Sequence, residues 1–178
     1  MISNFDASLN EVLKSEGGFQ DDPRDPGNKL PDGRTGCTNL GITQRSWEMY
    51  VGRQVTHDEM RAITPAMAGD FYKTKYWNAV KGDLLPAGVD YLCFDLAVNG
   101  GPGRAIMTLQ GALGVNADGG LGPVTMAAVR AADPGYLIDT FTDAKVRFYR
   151  SLNNPAFESG WINRAQHAHE VAHSMLLG

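Results

Sequence analysis

The sequence predicts a mainly α-helical fold with a short β-hairpin or loop insert directly after the first helix. Apolar residues recur at helical spacing before residue 16, and they do so again from residue 43 almost to the end of the chain. Between these regions, residues 20–42 are rich in turn-forming Asp, Pro and Gly and poor in apolar side chains. Strands, if the fold has any, should therefore be confined to residues 20–42.

The first helix is expected to end at Glu16. Phe5, Leu9 and Val12 lie on one helical face, and Glu16 continues that face. Gly17-Gly18 follow, and glycines favour the end of a helix and close approach to the backbone. Burial and the helix dipole both disfavour a charged carboxylate at this place, which suits a proton donor. A partly exposed glutamate before a glycine cap is the alternative.

Start and stop signals predict the later helices. Thr56 with Glu59 matches a capping box, and Thr64-Pro65 is an N-cap followed by proline at the first helical position. The apolar stripe within residues 89–97 predicts the central buried helix. Further helices are expected before Gly114, after Pro123, after Asp133-Pro134, and through Ile162 and Met175 at the end of the chain.

Composition excludes several classes of function. The net charge is −4, and no dense Lys/Arg stripe is present, which argues against a nucleic-acid partner. No apolar run reaches the roughly 18 residues that insertion across a membrane needs. Cys37 and Cys93 lack metal-ligand spacing and are expected to be buried thiols. Met1 to Asn10 lack the basic segment of a signal peptide, so synthesis in a reducing cytoplasm is expected.

The residues after Glu16 suggest hydrolysis of a glycosidic bond. That reaction needs an acid for the leaving oxygen and a second group for water or for positive charge. Asp25 lies in a turn-rich stretch that can fold back to place its carboxylate opposite Glu16, in a wetter site that keeps it ionised. In residues 36–43 the threonines can hydrogen-bond water, and Gly41 permits close backbone approach. An ordinary acidic loop is the alternative.

Six segments, spread in order over nearly the whole chain, carry a family resemblance. They are Glu16-Gly17-Gly18-Phe19, Asp22-Pro23-Arg24-Asp25-Pro26-Gly27, Thr38-Asn39-Leu40-Gly41-Ile42-Thr43, Tyr72-Lys73-Thr74-Lys75-Tyr76-Trp77, Phe94-Asp95-Leu96-Ala97-Val98-Asn99-Gly100-Gly101-Pro102-Gly103-Arg104-Ala105 and Gly160-Trp161-Ile162-Asn163-Arg164. With these segments the sequence resembles glycoside hydrolase family 108, which contains N-acetylmuramidases of phage-endolysin and secretion-associated type. The family looks like a member of the lysozyme-like superfamily.

The resemblance implies catalytic roles and a substrate. It makes Glu16 the catalytic acid, and the likeness to phage lysozymes adds Asp25 and Thr38, the latter to hold a water molecule. The expected reaction is hydrolysis of the β-1,4 bond between N-acetylmuramic acid and N-acetylglucosamine in bacterial peptidoglycan, without a cofactor. The phage-lysozyme likeness favours inversion at the anomeric carbon. Four further residues are expected to bind the substrate, three of them aromatic: Phe19, Tyr76, Trp77 and Asn99.

The resemblance also implies an organisation and a place of action. Residues 1–97 are expected to form a lysozyme-like catalytic region, and residues 98–178 a helical region similar to peptidoglycan-binding modules, packed with the first as one unit. The second region carries an LQ…DGxxGxxT pattern from Leu109 to Thr125, which otherwise indicates a tight turn between helices. We expect a monomer that reaches the periplasm or cell wall after holin- or secretion-dependent release.

One segment departs from the family pattern. Asn28 stands where a second glycine is usual, and Lys29 to Thr35 look like an insertion. The extra residues are expected to lengthen the hairpin at the edge of the cleft. Thr38 remains the threonine expected to hold water, with Thr35 and Thr43 as alternatives.

A second motif supports a different chemistry. His169-Glu170-Val171-Ala172-His173 matches H-E-x-x-H, in which two histidines on one helical face bind zinc. Only five residues follow His173, so no third ligand lies downstream, and any further ligand must be a distant acid. A zinc peptidoglycan hydrolase, a lytic transglycosylase acting on the same glycosidic bond, and a non-catalytic peptidoglycan-binding module therefore remain alternatives to the muramidase.

Overall fold

The computed structural model describes residues 3–178, so Met1 and Ile2, at the start of the segment that lacks a basic signal-peptide region, lie outside the described residues. The described chain is mainly helical, with a two-stranded antiparallel sheet near its N-terminus. This confirms the predicted fold class. In chain order the elements are α1 (Phe5–Ser15), β1 (Thr38–Asn39), β2 (Ile42–Thr43), α2 (Gln44–Val51), α3 (His57–Arg61), α4 (Pro65–Tyr72), α5 (Val89–Gly100), α6 (Pro102–Leu113), α7 (Pro123–Ala131), α8 (Pro134–Ser151) and α9 (Pro155–Leu177).

Local sequence signals explain where several helices begin. Thr56 and Glu59 form the predicted capping box at the start of α3. The Thr64 hydroxyl accepts a hydrogen bond from the N–H of Met67, so Thr64 is the predicted N-cap of α4. A π-helical turn, Lys73–Trp77, continues α4, and 3-10 turns occur at Pro26–Asn28 and Gly82–Leu84. These boundaries confirm the capping predictions.

The chain divides into two compact units, one formed by Leu9–Lys73 and the other by Thr74–Gly178 with the residues up to Ser8. The expected division at residues 97 and 98 remains a prediction, since a compact unit and a functional region need not share a boundary.

The Leu9–Lys73 unit contains the hairpin and helices α2, α3 and α4. Three aromatic rings pack between α2 and α4, with centroid separations from 5.3 to 6.0 Å, and belong to Trp47, Tyr50 and Phe71. The side-chain amide of Asn39, in β1, donates to the carbonyl oxygen of Met60 at the end of α3, over 2.8 Å. These contacts hold the hairpin against the helices of its own unit.

The other unit is built around α5. Residues 89–97 are all buried, which confirms the predicted central helix. Three rings pack edge to face around it, with centroids 5.3 to 5.8 Å apart: Phe5, Trp77 and Phe94. A buried ion pair joins Asp95 of α5 to Lys145 of α8 over 2.9 Å. Because both side chains are almost completely buried, removal of either one would leave an uncompensated charge in the core.

Both cysteines have free, buried thiols, as the sequence predicts. Burial raises the pKa of the Cys37 thiol to about 11, and burial also raises the pKa of Cys93. Thiolate chemistry at neutral pH is therefore disfavoured at both positions. Within residues 3–178, no helix has the length and apolarity to cross a bilayer.

Candidate active site

The turn between β1 and β2 has an unusual backbone. The strands pair Thr38 with Thr43 and Asn39 with Ile42, which leaves a loop of only two residues, Leu40 and Gly41. Both loop residues have positive φ, 51° and 75°, as mirror-image hairpin turns require. A glycine adopts this conformation without strain, whereas a leucine adopts it at some cost.

A buried tyrosine holds this turn in place. Tyr72, at the last residue of α4, is 1% exposed, and its phenol donates a hydrogen bond to the carbonyl oxygen of Leu40 over 2.8 Å. The bond fixes the strained Leu40 peptide to a helix end. The turn is thus set by α4 as well as by its own sequence.

The Glu16 carboxylate lies against the same turn. The chain leaves α1 at Ser15, and Glu16 is half-buried, with its backbone N–H donating to the carbonyl oxygen of Leu13. A Cβ atom built on Gly41 would lie 2.5 Å from Glu16 Oε2 and 2.6 Å from the Tyr72 hydroxyl oxygen. Only a residue without a side chain fits between them. This contact confirms the close approach expected at Gly41.

Asp25 is fixed through both of its carboxylate oxygens. Oδ1 accepts a hydrogen bond from the N–H of Gly27 over 2.8 Å and so caps the 3-10 turn Pro26–Asn28. Oδ2 accepts from the side-chain amide of Gln20 over 2.6 Å. The side chain is half-buried. Asp25 therefore has a defined orientation in an environment that is partly open to water.

A chain of hydrogen bonds joins Asp25 to Thr38. The Thr38 hydroxyl donates to Asn28 Oδ1 over 2.8 Å, and Asn28 Nδ2 donates to Gln20 Oε1 over 2.7 Å. Gln20 Nε2 then donates to Asp25. Backbone hydrogen bonds of 2.8 and 2.9 Å also pair Gln20 with Thr38 in both directions. The structure thus brings together two predicted site residues through two that sequence reasoning missed.

Those two missed residues carried weak signals. Asn28 occupies the position where the family usually has glycine. Its side chain is 1% exposed and connects Thr38 to Gln20 by hydrogen bonds. Gln20 directly follows the Glu16 motif in sequence, but nothing in a lone glutamine indicates that it pairs with a distant aspartate. Tyr72 belongs to a segment that resembles the family, where the aromatic neighbours Tyr76 and Trp77 were the expected contacts.

The three threonines that could hold the water, Thr35, Thr38 and Thr43, have different surroundings. The Thr43 hydroxyl accepts from the N–H of Ser46 and donates to its hydroxyl, so it serves as the N-cap of α2. Thr35 is exposed and pairs with Lys29 across an isolated β-bridge. Thr38 alone of the three belongs to the Asp25 network. With its hydrogen donated to Asn28, its oxygen keeps acceptor capacity for a water molecule.

The Lys29–Thr35 insertion does not lengthen the β1–β2 hairpin. It forms its own loop, closed by the Lys29–Thr35 bridge and by a hydrogen bond of 3.1 Å from the N–H of Leu30 to the carbonyl oxygen of Arg34. The Arg34 guanidinium bonds both Asp32 and Glu48, over 2.7 to 3.1 Å. Local pairing within the insertion thus replaces the extension of the strands that we expected.

The expected aromatic contacts have different environments. Phe19 is half-buried, with the Arg61 guanidinium 4.1 Å from its ring centroid and the His57 ring edge-on to it. Tyr76 is half-buried in the π-helical turn. Trp77 is 0% exposed, and its indole N–H donates to Asp83. Because no face of Trp77 reaches solvent, we place it in the core and do not carry it into the proposed substrate site.

Asn99 is exposed at the end of α5, and its amide donates to the carbonyl oxygen of Asp95 over 2.8 Å. It lines a cavity of about 310 Å³ in the Thr74–Gly178 unit. Aromatic and cationic side chains dominate the cavity walls and include Arg104, Phe148, Tyr149, Trp161 and Arg164.

The polar groups of the LQ…DGxxGxxT pattern form hydrogen bonds with one another. Gln110 is 0% exposed, and its amide N–H groups donate to Asp118, to the carbonyl oxygen of Gly120 and to the Thr125 hydroxyl, over 2.8 to 3.1 Å. Its side-chain oxygen accepts from the N–H of Gly119. These contacts favour the alternative interpretation, in which the pattern encodes a packed interhelical turn.

Comparisons with known proteins agree with this architecture. The family model described as Glycosyl hydrolase 108 matches residues 9–101, which include Glu16, Asp25 and Thr38. A second model, described as "Predicted Peptidoglycan domain", matches residues 104–166. A solved structure, "Structure of Brucella abortus SagA", is 37% identical, has a TM-score of 0.81, and aligns over 97% of this chain and 95% of that chain. Among curated proteins none matches.

The class of protein follows from these observations. The fold is mainly helical and lysozyme-like, the Glu16 carboxylate lies against the β1–β2 turn in the first half of the chain, and the second half matches a peptidoglycan domain. The protein is a glycoside hydrolase that acts on peptidoglycan. The chain belongs to glycosyl hydrolase family 108.

Proposed function

We propose that the protein is an N-acetylmuramidase, which hydrolyses the β-1,4 bond between N-acetylmuramic acid and N-acetylglucosamine, with Glu16 as the general acid. The supporting observation is the position of the Glu16 carboxylate, which lies against Gly41 in a turn that the Tyr72 phenol fixes through the Leu40 carbonyl oxygen. A general acid must keep a fixed position relative to the leaving oxygen, and these contacts restrict the movement of this side chain.

Asp25 and Thr38 supply the second half of the reaction. Glu16 gives its proton to the glycosidic oxygen while the bond from that oxygen to the anomeric carbon breaks. Water attacks the anomeric carbon from the opposite face and passes a proton to the Asp25 carboxylate, while Thr38 accepts a hydrogen bond from the same water. Gln20 and Asn28 act as positioning residues, since Gln20 bonds Asp25 and Asn28 bonds Thr38.

The proposal is tested by digesting purified peptidoglycan with the wild type and with Glu16→Gln. We expect new reducing ends on muramic acid, and a loss of about 10²- to 10⁴-fold in the variant, the range for a general acid. Glu11→Gln is the matched control, because Glu11 lies on α1, the helix that ends just before Glu16, and pairs with the exposed Lys14. Activity that survives in Glu16→Gln would remove Glu16 from the mechanism.

Product chemistry separates the alternatives. A 1,6-anhydro muramic product would indicate a lytic transglycosylase, in which a substrate hydroxyl replaces water. Free amines that disappear with chelator would indicate a zinc peptidase. The anomer formed first, measured by NMR, tests the assignment to Asp25: the α-anomer supports inversion through an activated water, and the β-anomer contradicts it.

We propose that the cavity beside Asn99 binds peptidoglycan carboxylates. Two guanidiniums, of Arg104 and Arg164, line it together with the Trp161 indole, which suits an anionic stem peptide next to a sugar face. Binding of Glu16→Gln protein to insoluble peptidoglycan should weaken when Arg104→Gln is added. Arg130→Gln on α7 removes the same charge at an exposed position and is the control. Equal binding by both variants would exclude the cavity as a binding site for peptidoglycan carboxylates.

Phe19 and Tyr76 are proposed to contact the sugar chain, each with its half-buried ring. We further propose that the protein is a monomer. We also propose that it acts in the periplasm or cell wall after release by a holin or a secretion system. Light scattering tests the monomer. Fractionation of expressing cells with and without a holin tests the release, and peptidoglycan cleavage without any release partner would contradict it.

A further inference from the structure

The H-E-x-x-H segment has no role in the proposed muramidase, and the structure supplies what its sequence lacks. His169 and His173 lie one helical turn apart on α9, with ring centroids 4.6 Å apart. Their Nε2 atoms lie 2.7 and 2.8 Å from one oxygen of Asp139, which is on α8. The missing third donor is therefore a carboxylate thirty residues upstream of His169.

We propose that Asp139, His169 and His173 form a binding site for a zinc-type divalent cation. One atom from each of the three residues lies within 4.8 Å of the others. Two imidazole nitrogens and one carboxylate oxygen are donors that zinc takes at about 2.0–2.2 Å, with water in the fourth position. Tetrahedral donors at that distance are roughly 3.3 Å apart, so the nitrogen–oxygen distances here need to open by about half an ångström.

The surroundings permit this adjustment. The side chains of Asp139, His169 and His173 are 54%, 30% and 35% exposed, so they can rotate without disturbing the core. Asp139 and His169 also line a cavity of about 230 Å³, whose wall includes Asp143 and Gln166. That cavity offers space for a metal-bound water and polar groups that can accept its hydrogens.

The geometry also indicates what the cation would do. Asp139 comes from α8 and both histidines come from α9, so a bound cation would cross-link two long helices within the Thr74–Gly178 unit. A ligand that binds only the folded state stabilises it in proportion to the logarithm of its concentration. The proposed role is therefore structural, and it is independent of cleavage of the glycosidic bond.

The test uses the full-length protein after dialysis against chelator. We expect one equivalent of Zn²⁺ to bind in calorimetry, and Tm to rise by about 5–10 °C when free Zn²⁺ is 100-fold above Kd. Co²⁺ should give the intense visible bands of a tetrahedral nitrogen and oxygen site. Glycosidase activity should be the same with and without chelator, which distinguishes this site from the proposed muramidase centre.

Variants identify the ligands. His173→Ala and Asp139→Asn should each weaken Zn²⁺ binding at least tenfold, while their metal-free Tm reports whether the fold is intact. His167→Ala is the matched control, since His167 is exposed on the same helix and points about 200° away from His169. Absence of stoichiometric Zn²⁺ binding, or binding that survives in His173→Ala and Asp139→Asn, would overturn the proposal.

Discussion

The Glu16 carboxylate and the α-carbon of Gly41 are packed so closely that a side chain has no room between them. A methyl group at Gly41 would lie 2.5 Å from Glu16 Oε2, well inside normal contact. The acid is therefore placed by a turn twenty-five residues further along the chain as well as by the helix that precedes it. Tyr72 fixes that turn through the Leu40 carbonyl oxygen.

Gly41→Ala should reduce kcat by about 100-fold, because the new methyl group displaces Glu16, the proposed general acid, by about an ångström. Gly52→Ala is a matched control: Gly52 has φ of 76°, against 75° at Gly41, but its missing Cβ would meet no atom within 4 Å. Both variants carry the same backbone strain, and only one carries the clash. Rates of peptidoglycan digestion and Tm should be measured for both. Equal loss of activity in the two variants would show that strain alone, and not contact with Glu16, is responsible.

Asn28→Ala should lower both stability and activity. It removes the connector between Thr38 and Gln20, so the Thr38 hydroxyl loses its acceptor and the half-buried Gln20 oxygen keeps the Asp22 N–H but loses Asn28, which costs about 1–3 kcal/mol. We expect a fall in kcat of about tenfold, since Asp25 loses part of its support. Urea unfolding and digestion rates measure the two effects. Asn10→Ala, at an exposed position of α1, is the control, and unchanged kcat in Asn28→Ala would restrict the network to a structural role.

Lys145→Met should destabilise the protein by about 3–5 kcal/mol, because it leaves the buried Asp95 carboxylate without its closest cation. Arg164 is 3.6 Å from the other Asp95 oxygen and compensates only in part. The double variant Asp95→Asn with Lys145→Met should recover most of that loss, as measured by urea unfolding. An additive double variant would show that the two charges do not depend on each other. Lys75→Met, at an exposed position, controls for the loss of charge.

Asp90 should make the protein less stable as pH rises from about 4 to 6. Burial raises the pKa of Asp90 to about 6, although the Asn4 amide and the Tyr91 N–H donate to its carboxylate. The unfolded chain loses this proton near pH 3.9, so the native state binds more protons across that window. Ionisation then costs roughly 2–3 kcal/mol by pH 7.

Asp90→Asn tests that effect, because asparagine keeps an acceptor oxygen and cannot ionise. The free energy of unfolding of the variant minus that of wild type should be about 2–3 kcal/mol larger at pH 7 than at pH 4, because only wild type is destabilised by ionisation. Urea titrations at the two pH values measure this difference. Asp6→Asn provides the same change at an exposed position. A difference that does not vary with pH would mean that Asp90 ionises equally easily in both states.

Local patterns predicted much of the fold, because caps and apolar spacing act within a few residues. Thr56 with Glu59 and the buried stripe of α5 are examples. The site was harder to predict: Glu16 and Gly41 stand in a recognisable order, whereas the Tyr72–Leu40 bond and the Gln20–Asn28 connector depend on long-range pairing. Trp77 was predicted to bind substrate but lies in the core. An aromatic residue at a helix end fits either a core or a sugar site, and only its burial in the folded chain distinguishes the two.

The Lys29–Thr35 loop has a consequence for evolution and engineering. Its ends meet at a single β-bridge, so the chain leaves and re-enters the site region at nearly the same point. Residues 31–33, the exposed tip, can be exchanged or extended without pulling on Asn28 or Thr38, because loop closure costs little when the ends are already joined. The buried Leu30 and the Arg34–Glu48 ion pair anchor the rest of the loop. A foreign peptide can therefore be grafted at this tip while Asn28 and Thr38 keep their positions.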